Sequence, residues 1–74
     1  MDINKKIRVT KENASDYIGK NIEFLSNNII NKRELLGVGG GENTCYLKVD
    51  FPSLNNNLVI WRNNKTSRVV YVDK

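Results

Sequence analysis

Residues 44–52 read Thr44-Cys45-Tyr46-Leu47-Lys48-Val49-Asp50-Phe51-Pro52. Cys45, Leu47 and Val49 alternate with Thr44, Tyr46, Lys48 and Asp50, the period of two that puts one set of side chains in a core and the other in solvent. The stretch is read as a strand with Cys45 in the core. Pro52 ends it, because proline lacks the ladder donor and restricts Phe51 before it. Toward the N-terminus, Gly39-Gly40-Gly41 reads as a flexible hairpin tip. Before it, residues 29–38 form a long return strand, expected to bend or bulge at Lys32-Arg33-Glu34. Asn27-Asn28 is the turn that joins this strand to the preceding one, where Ile22 and Phe24 alternate with Asn21 and Glu23, since asparagine tolerates positive φ. Residues 13–19 read as one or two helical turns, with Asn13 as cap, Asp16 near the positive end and Gly19 as the left-handed stop. Ile3, Ile7 and Val9 again alternate, predicting a first strand or ordered arm. Toward the C-terminus, Asn55-Asn56-Asn57 is a loop, Leu58–Arg62 a strand, residues 63–67 a turn and Arg68–Val72 the last strand.

Short strands at this spacing predict an all-β domain over residues 1–74, a small barrel or sandwich of five to six strands with one short helix. At 74 residues and 39% hydrophobic content, closing the sheet matters, because a small core needs maximal enclosure and bare edges template aggregation. The chain carries +4 and a pI near 9.4, which invites an anionic partner. It has no histidine, hence neither the commonest general base nor the commonest metal ligand. Cys45 is the single cysteine, so a disulfide within the chain and a Cys-x-x-Cys metal site are both impossible. Residues 1–10 are polar and charged, and no apolar run approaches the roughly 20 residues of a membrane span. A cytoplasmic protein without cofactor, metal or membrane attachment is expected. The twelve asparagines, eight lysines and seven isoleucines match the bias of AT-rich coding sequence and hint at a phage, a virus or an AT-rich microbe.

Two stretches resemble a known family. Gly19-Lys20-Asn21-Ile22-Glu23-Phe24 looks like the glycine-lysine start of the first strand of the Sm-like proteins, a branch of the SH3-like barrels. Residues 59–64 with Val69-Val70-Tyr71-Val72 look like that family's closing strand pair. The resemblance implies a barrel of five strands after a short helix, assembly into rings, and binding of uridine-rich or adenosine-rich single-stranded RNA through two loops. The family's asparagine-containing recognition element has no counterpart, since Gly39–Asn43 occupies its place, and the closing arginine-glycine step is Arg62-Asn63 here. Tudor-like, chromo-like and transcription-factor-type SH3 barrels fit the same strand pattern.

The charge is unevenly placed. Residues 1–11 and 51–74 carry +3 each, residues 12–30 carry −2 and residues 31–50 are neutral. If the chain ends meet, Lys5, Lys6, Arg8, Arg62, Lys65 and Arg68 form one basic face, with Trp61 and Tyr71 beside the last turn. Cations that track phosphates and rings that stack bases suit single-stranded nucleic acid, RNA or DNA; both rings could equally fill the core. The other chemistries fail on spacing. The glycine run lacks both a G-x-G-x-x-G and a G-K-[ST] pattern, and no helix follows it to offer amides to a phosphate. Cys45 has no base to activate it. The carboxylates are scattered, with no paired spacing. Phe51 and Leu54 are expected to fold inward and plug one end of the barrel. A non-enzymatic binding module is expected, and an adaptor or inhibitor of a host or cellular protein, docking through a sheet edge or through the Phe51–Leu54 loop where it projects outward, is the alternative. A homo-oligomer would be a third form.

Overall fold

The computed structural model describes residues 6–73. The predicted arm at Ile3 lies outside them. Eight strands form, β1 (Lys6–Arg8), β2 (Asn21–Ser26), β3 (Ile29–Glu34), β4 (Gly37–Gly41), β5 (Thr44–Lys48), β6 (Asn57–Arg62), β7 (Lys65–Thr66) and β8 (Val70–Asp73). They make two four-stranded antiparallel sheets, ordered β1-β8-β2-β3 and β4-β5-β6-β7. The all-β class holds; the closed barrel of five to six strands does not. At Leu35-Leu36 consecutive amides face opposite sheets: Leu35 N–H donates to the Lys20 carbonyl and Leu36 N–H to that of Lys48, both at 2.8 Å. The long return strand therefore turns a corner there and divides into β3 and β4, pinned by the fully buried Leu35. A second corner at residues 67–69 carries the chain from β7 to β8, and part of the predicted last turn, Lys65-Thr66, is strand β7.

The core lies between the sheets and follows the alternation. Cys45, Leu47 and Val49 are buried, as are Ile22, Phe24, Leu58, Ile60, Val70 and Val72. Burial of each larger side chain contributes about 1.5–3 kcal/mol before the entropy cost of ordering it. Burial raises the Cys45 thiol pKa above its ordinary value. Phe51 meets Phe24 edge to face, with ring centroids 5.2 Å apart at 87°, and Leu54 packs beside it. Both side chains pack against the core, the inward arrangement expected of this loop.

Asparagine shapes the turns. Among the described residues, the non-glycine residues with positive φ are three Asn-Asn pairs, Asn27-Asn28, Asn55-Asn56 and Asn63-Asn64, with φ between 52° and 65°. The first and last are two-residue hairpin turns of the kind that needs a left-handed conformation at both positions and matches strand twist. Other expectations change. Two short 3-10 turns form, Ala14–Tyr17 and Pro52–Leu54, where one short helix was expected; the Asn13 side chain does not cap the first, since its Oδ1 accepts from Thr10 N–H at 2.8 Å and its Nδ2 donates to the Arg8 carbonyl at 3.1 Å. The glycine run is not a flexible tip but strand β4, and the turn falls at Glu42-Asn43. Position 39 is glycine because Tyr46 lies across it: a Cβ there would come within 2.5 Å of the ring carbon Cζ.

Candidate nucleic-acid interface

The end of β1 and the turn after it lie beside β6 and β7, as the Arg8–Thr66 and Lys11–Trp61 contacts show, while Val9 N–H donates to the Val70 carbonyl of β8 at 2.8 Å and Ser67 N–H to the Ile60 carbonyl at 2.9 Å. Between them opens a cleft of about 250 Å³, whose walls include Arg8, Lys11, Glu12, Trp61, Thr66 and Arg68. Its floor is apolar, from buried Val9 and Ile60. The Asn13 side chain bonds to the backbone of Arg8 and Thr10 and so holds the segment that carries Arg8 and Lys11. Arg8 Nη2 donates to Thr66 Oγ1 at 3.1 Å, which aims the guanidinium across the cleft. Arg68 Nη1 donates to the Leu25 carbonyl at 2.6 Å. Lys11 Nζ sits 4.4 Å from the centre of the Trp61 ring and 3.4 Å from Glu12. Among the described residues, Glu12 is the only carboxylate in the cleft wall.

The predicted basic face is thus divided. Arg8, Arg68 and Trp61 come together. Arg62 and Lys65 face each other in register across the Asn63-Asn64 turn, exposed, on the hairpin whose Trp61 and Thr66 line the cleft. Lys5 lies outside the described residues. Lys6 joins a different cluster: it bonds Glu23 and stands 3.9 Å from Asp73, while Lys32 stands 3.5 Å from Glu23 and 3.3 Å from Asp73. Two cations and two carboxylates cancel there, so Lys6 is not free for a phosphate. The ammonium of Lys6 holds the Glu23 carboxyl below its ordinary pKa, burial opposing, and Asp73 with Glu23 raises Lys32. The sequence reading missed these pairs because they join β1, β2, β3 and β8, up to 67 positions apart along the chain (Lys6 and Asp73).

The two aromatic candidates separate as well. Trp61 is half-buried against the core with Lys11 over its ring, so a base could stack on that face only after Lys11 moves. Tyr71 is on the outward face of β8, 41% exposed, and does not line the cleft that Trp61 lines. Lys11 and Thr66 were not singled out from sequence; the signal for Lys11 was its place directly after the first alternating segment, within the +3 N-terminal block. Among the described residues no group of three or more histidine, cysteine, aspartate or glutamate side chains is placed to hold a metal ion, and no helix is long and apolar enough to cross a membrane. Compared with models of protein families, with curated proteins and with solved structures, the chain matches none.

Proposed function

We propose that this protein is a non-enzymatic module that binds single-stranded nucleic acid, RNA or DNA, through phosphates held in the Arg8–Lys11–Arg68 cleft. The observation that carries the reading is the convergence of three cations from two chain segments on one cleft with a single carboxylate. Two arginines with planar donor forks suit phosphate oxygens better than lysines would. The exposed Arg62 and Lys65 on the adjoining hairpin extend the positive field along a strand's path. The strand course also supports the Sm-like resemblance: β2 pairs with β3, β3 runs on into β4, β5 and β6 follow, and β8 returns to β2, with the ladder interrupted at both corners.

The host-protein adaptor has less support. Phe51 and Leu54 face the core, and the free edge of β3 is obstructed. Leu35 bonds toward β2, so the even-numbered residues of β3 present their backbone groups outward, and there Arg33 Nη1 takes the Lys32 carbonyl at 2.7 Å. Charged side chains on an edge oppose strand addition.

The test is fluorescence anisotropy of a labelled mixed-sequence 20-mer single strand across a salt series. Engagement of three phosphates gives a slope of log K against log salt of about −2, from roughly −0.7 per phosphate on single strands. Absence of binding at low salt, or binding indifferent to salt, rejects the reading.

A further inference from the structure

A separate groove of about 320 Å³ lies on the outer face of the first sheet, its wall including Val69, next in the chain to the cleft residue Arg68. Leu25 and Ile30 are opposite one another in the β2–β3 register and Tyr71 is opposite Glu23 in the β2–β8 register, so all four side chains share this face with Val69. Leu25 is 54% exposed, Ile30 70%, Val69 43% and Tyr71 41%. Single exposed apolar residues need no explanation, but a contiguous set does.

Two observations join the groove to the cleft. Arg68, a cleft residue, donates to the carbonyl of Leu25 in the groove wall. Arg8, the other arginine of the cleft, is the register partner of Tyr71 across β1–β8. A phosphate held by Arg8 and Arg68 therefore leaves its nucleoside beside the Tyr71 ring. Among the described residues the one ionised group in the groove wall is Glu23; it has a lysine at each carboxylate oxygen, Lys6 at Oε1 and Lys32 at Oε2, and this cancels the charge that would repel a phosphodiester.

We infer that this groove is a nucleobase subsite: Tyr71 is the platform on which one base stacks, flanked by Leu25, Ile30 and Val69. The inference rests on the nucleic-acid reading of the cleft. The walls take a base chiefly by its faces, because their ionised side chain, Glu23, is already paired and the Tyr71 hydroxyl at the ring's edge is the one other polar side-chain group among the described lining residues. Recognition is therefore of unstacked bases in general rather than of one base edge, and a duplex, whose bases stack on each other, is excluded.

The experiment compares a labelled single-stranded 12-mer of deoxyadenosine with an abasic strand of the same length, by anisotropy at low salt. The wild type binds the base-bearing strand at least tenfold more tightly. Tyr71→Ala weakens that strand by roughly 5- to 150-fold, the range of one base–aromatic stack, and leaves the abasic strand unchanged; Tyr71→Phe keeps the ring and the affinity. Should Tyr71→Ala not fold, Leu25→Asn and Ile30→Asn, both at exposed positions, weaken the base-bearing strand alone. Arg8→Gln with Arg68→Gln weakens both strands. Equal affinity of the wild type for the two strands, or groove variants that change neither, overturns the subsite and leaves the cleft reading standing. If neither strand binds the wild type, the cleft reading falls and the subsite with it; the groove is then a surface for an acidic protein segment.

Discussion

Three adjacent glycines separate the strand found at Gly37–Gly41 from the flexible tip that the sequence suggests. In a mobile tip, alanine at 39, 40 or 41 would have much the same small effect. In strand β4 the three differ. A Cβ on Gly41 meets nothing within 4 Å and its φ is ordinary, so Gly41→Ala stabilises by about 0.4–1 kcal/mol through the unfolded chain, or is neutral. A Cβ on Gly39 falls 2.5 Å from Cζ and 2.6 Å from Oη of Tyr46; the ring must swing away, at about 1–3 kcal/mol. At Gly40 the φ is +132° and the Cβ would drive into the Thr44 carbonyl, which is backbone and cannot step aside. Strain of about 1–3 kcal/mol then adds to the loss of the Gly40–Cys45 pairing. Net stability for 74 residues is on the order of 4–11 kcal/mol. Melting followed by circular dichroism reads these differences at roughly 4–8 °C per kcal/mol. The expected order of Tm is Gly41→Ala, then Gly39→Ala, then Gly40→Ala lowest. Tyr46→Ala combined with Gly39→Ala should be less damaging than the two separate losses added, by about 0.5 kcal/mol or more. Equal shifts for all three glycines, or strict additivity with Tyr46→Ala, would refute the account of β4.

The remaining expectations follow from single features. Asn28 and Asn64 have φ of 64° and 65°, so alanine at either costs about 1–2 kcal/mol while glycine costs far less, read by urea unfolding. The Glu23 carboxyl is held low by Lys6, so its contribution to stability is present above the unfolded pKa near 4.5 and is lost as pH falls through the lower folded value. Glu23→Gln should accordingly flatten the stability–pH curve below about pH 4.5, and an unchanged acid limb would count against the cluster. Cys45 is 6% exposed and its thiol pKa is raised, so native protein should react with a disulfide reagent far more slowly than protein in denaturant. The thiol's contribution is present below the unfolded pKa near 9.0 and declines as pH rises through the folded value; rapid native labelling would place Cys45 outside the core.

Interactions between near neighbours in the chain were legible. The alternation at Cys45, Leu47 and Val49, the turn at Asn27-Asn28 and the stop at Gly19, whose φ is +94°, each depend on a few consecutive residues. The corner at Leu35 was visible only as an expected bend, since nothing local says that its amide and that of Leu36 will serve different sheets. The glycine run misled for a related reason: Gly39 is required by Tyr46 and Gly40 by the Thr44 carbonyl, both on the next strand. At the candidate site, the charge blocks at the two ends correctly brought Arg8 near Arg68, but could not tell Arg8 from Lys6. These two residues project from the same face of β1, and the difference between them lies in the neighbours they meet, Thr66 for one and Glu23 with Asp73 for the other.

By itself, then, the sequence determined the all-β class, the buried face of each main strand and the asparagine turns, because period-two burial and left-handed backbone preference act over two to six residues. Tertiary structure decided where the long return strand breaks between two sheets, which lysines are neutralised, and that Trp61 is covered while Tyr71 is open. Those outcomes depend on charges and rings that lie tens of residues apart in the chain and meet only when β8 inserts between β1 and β2.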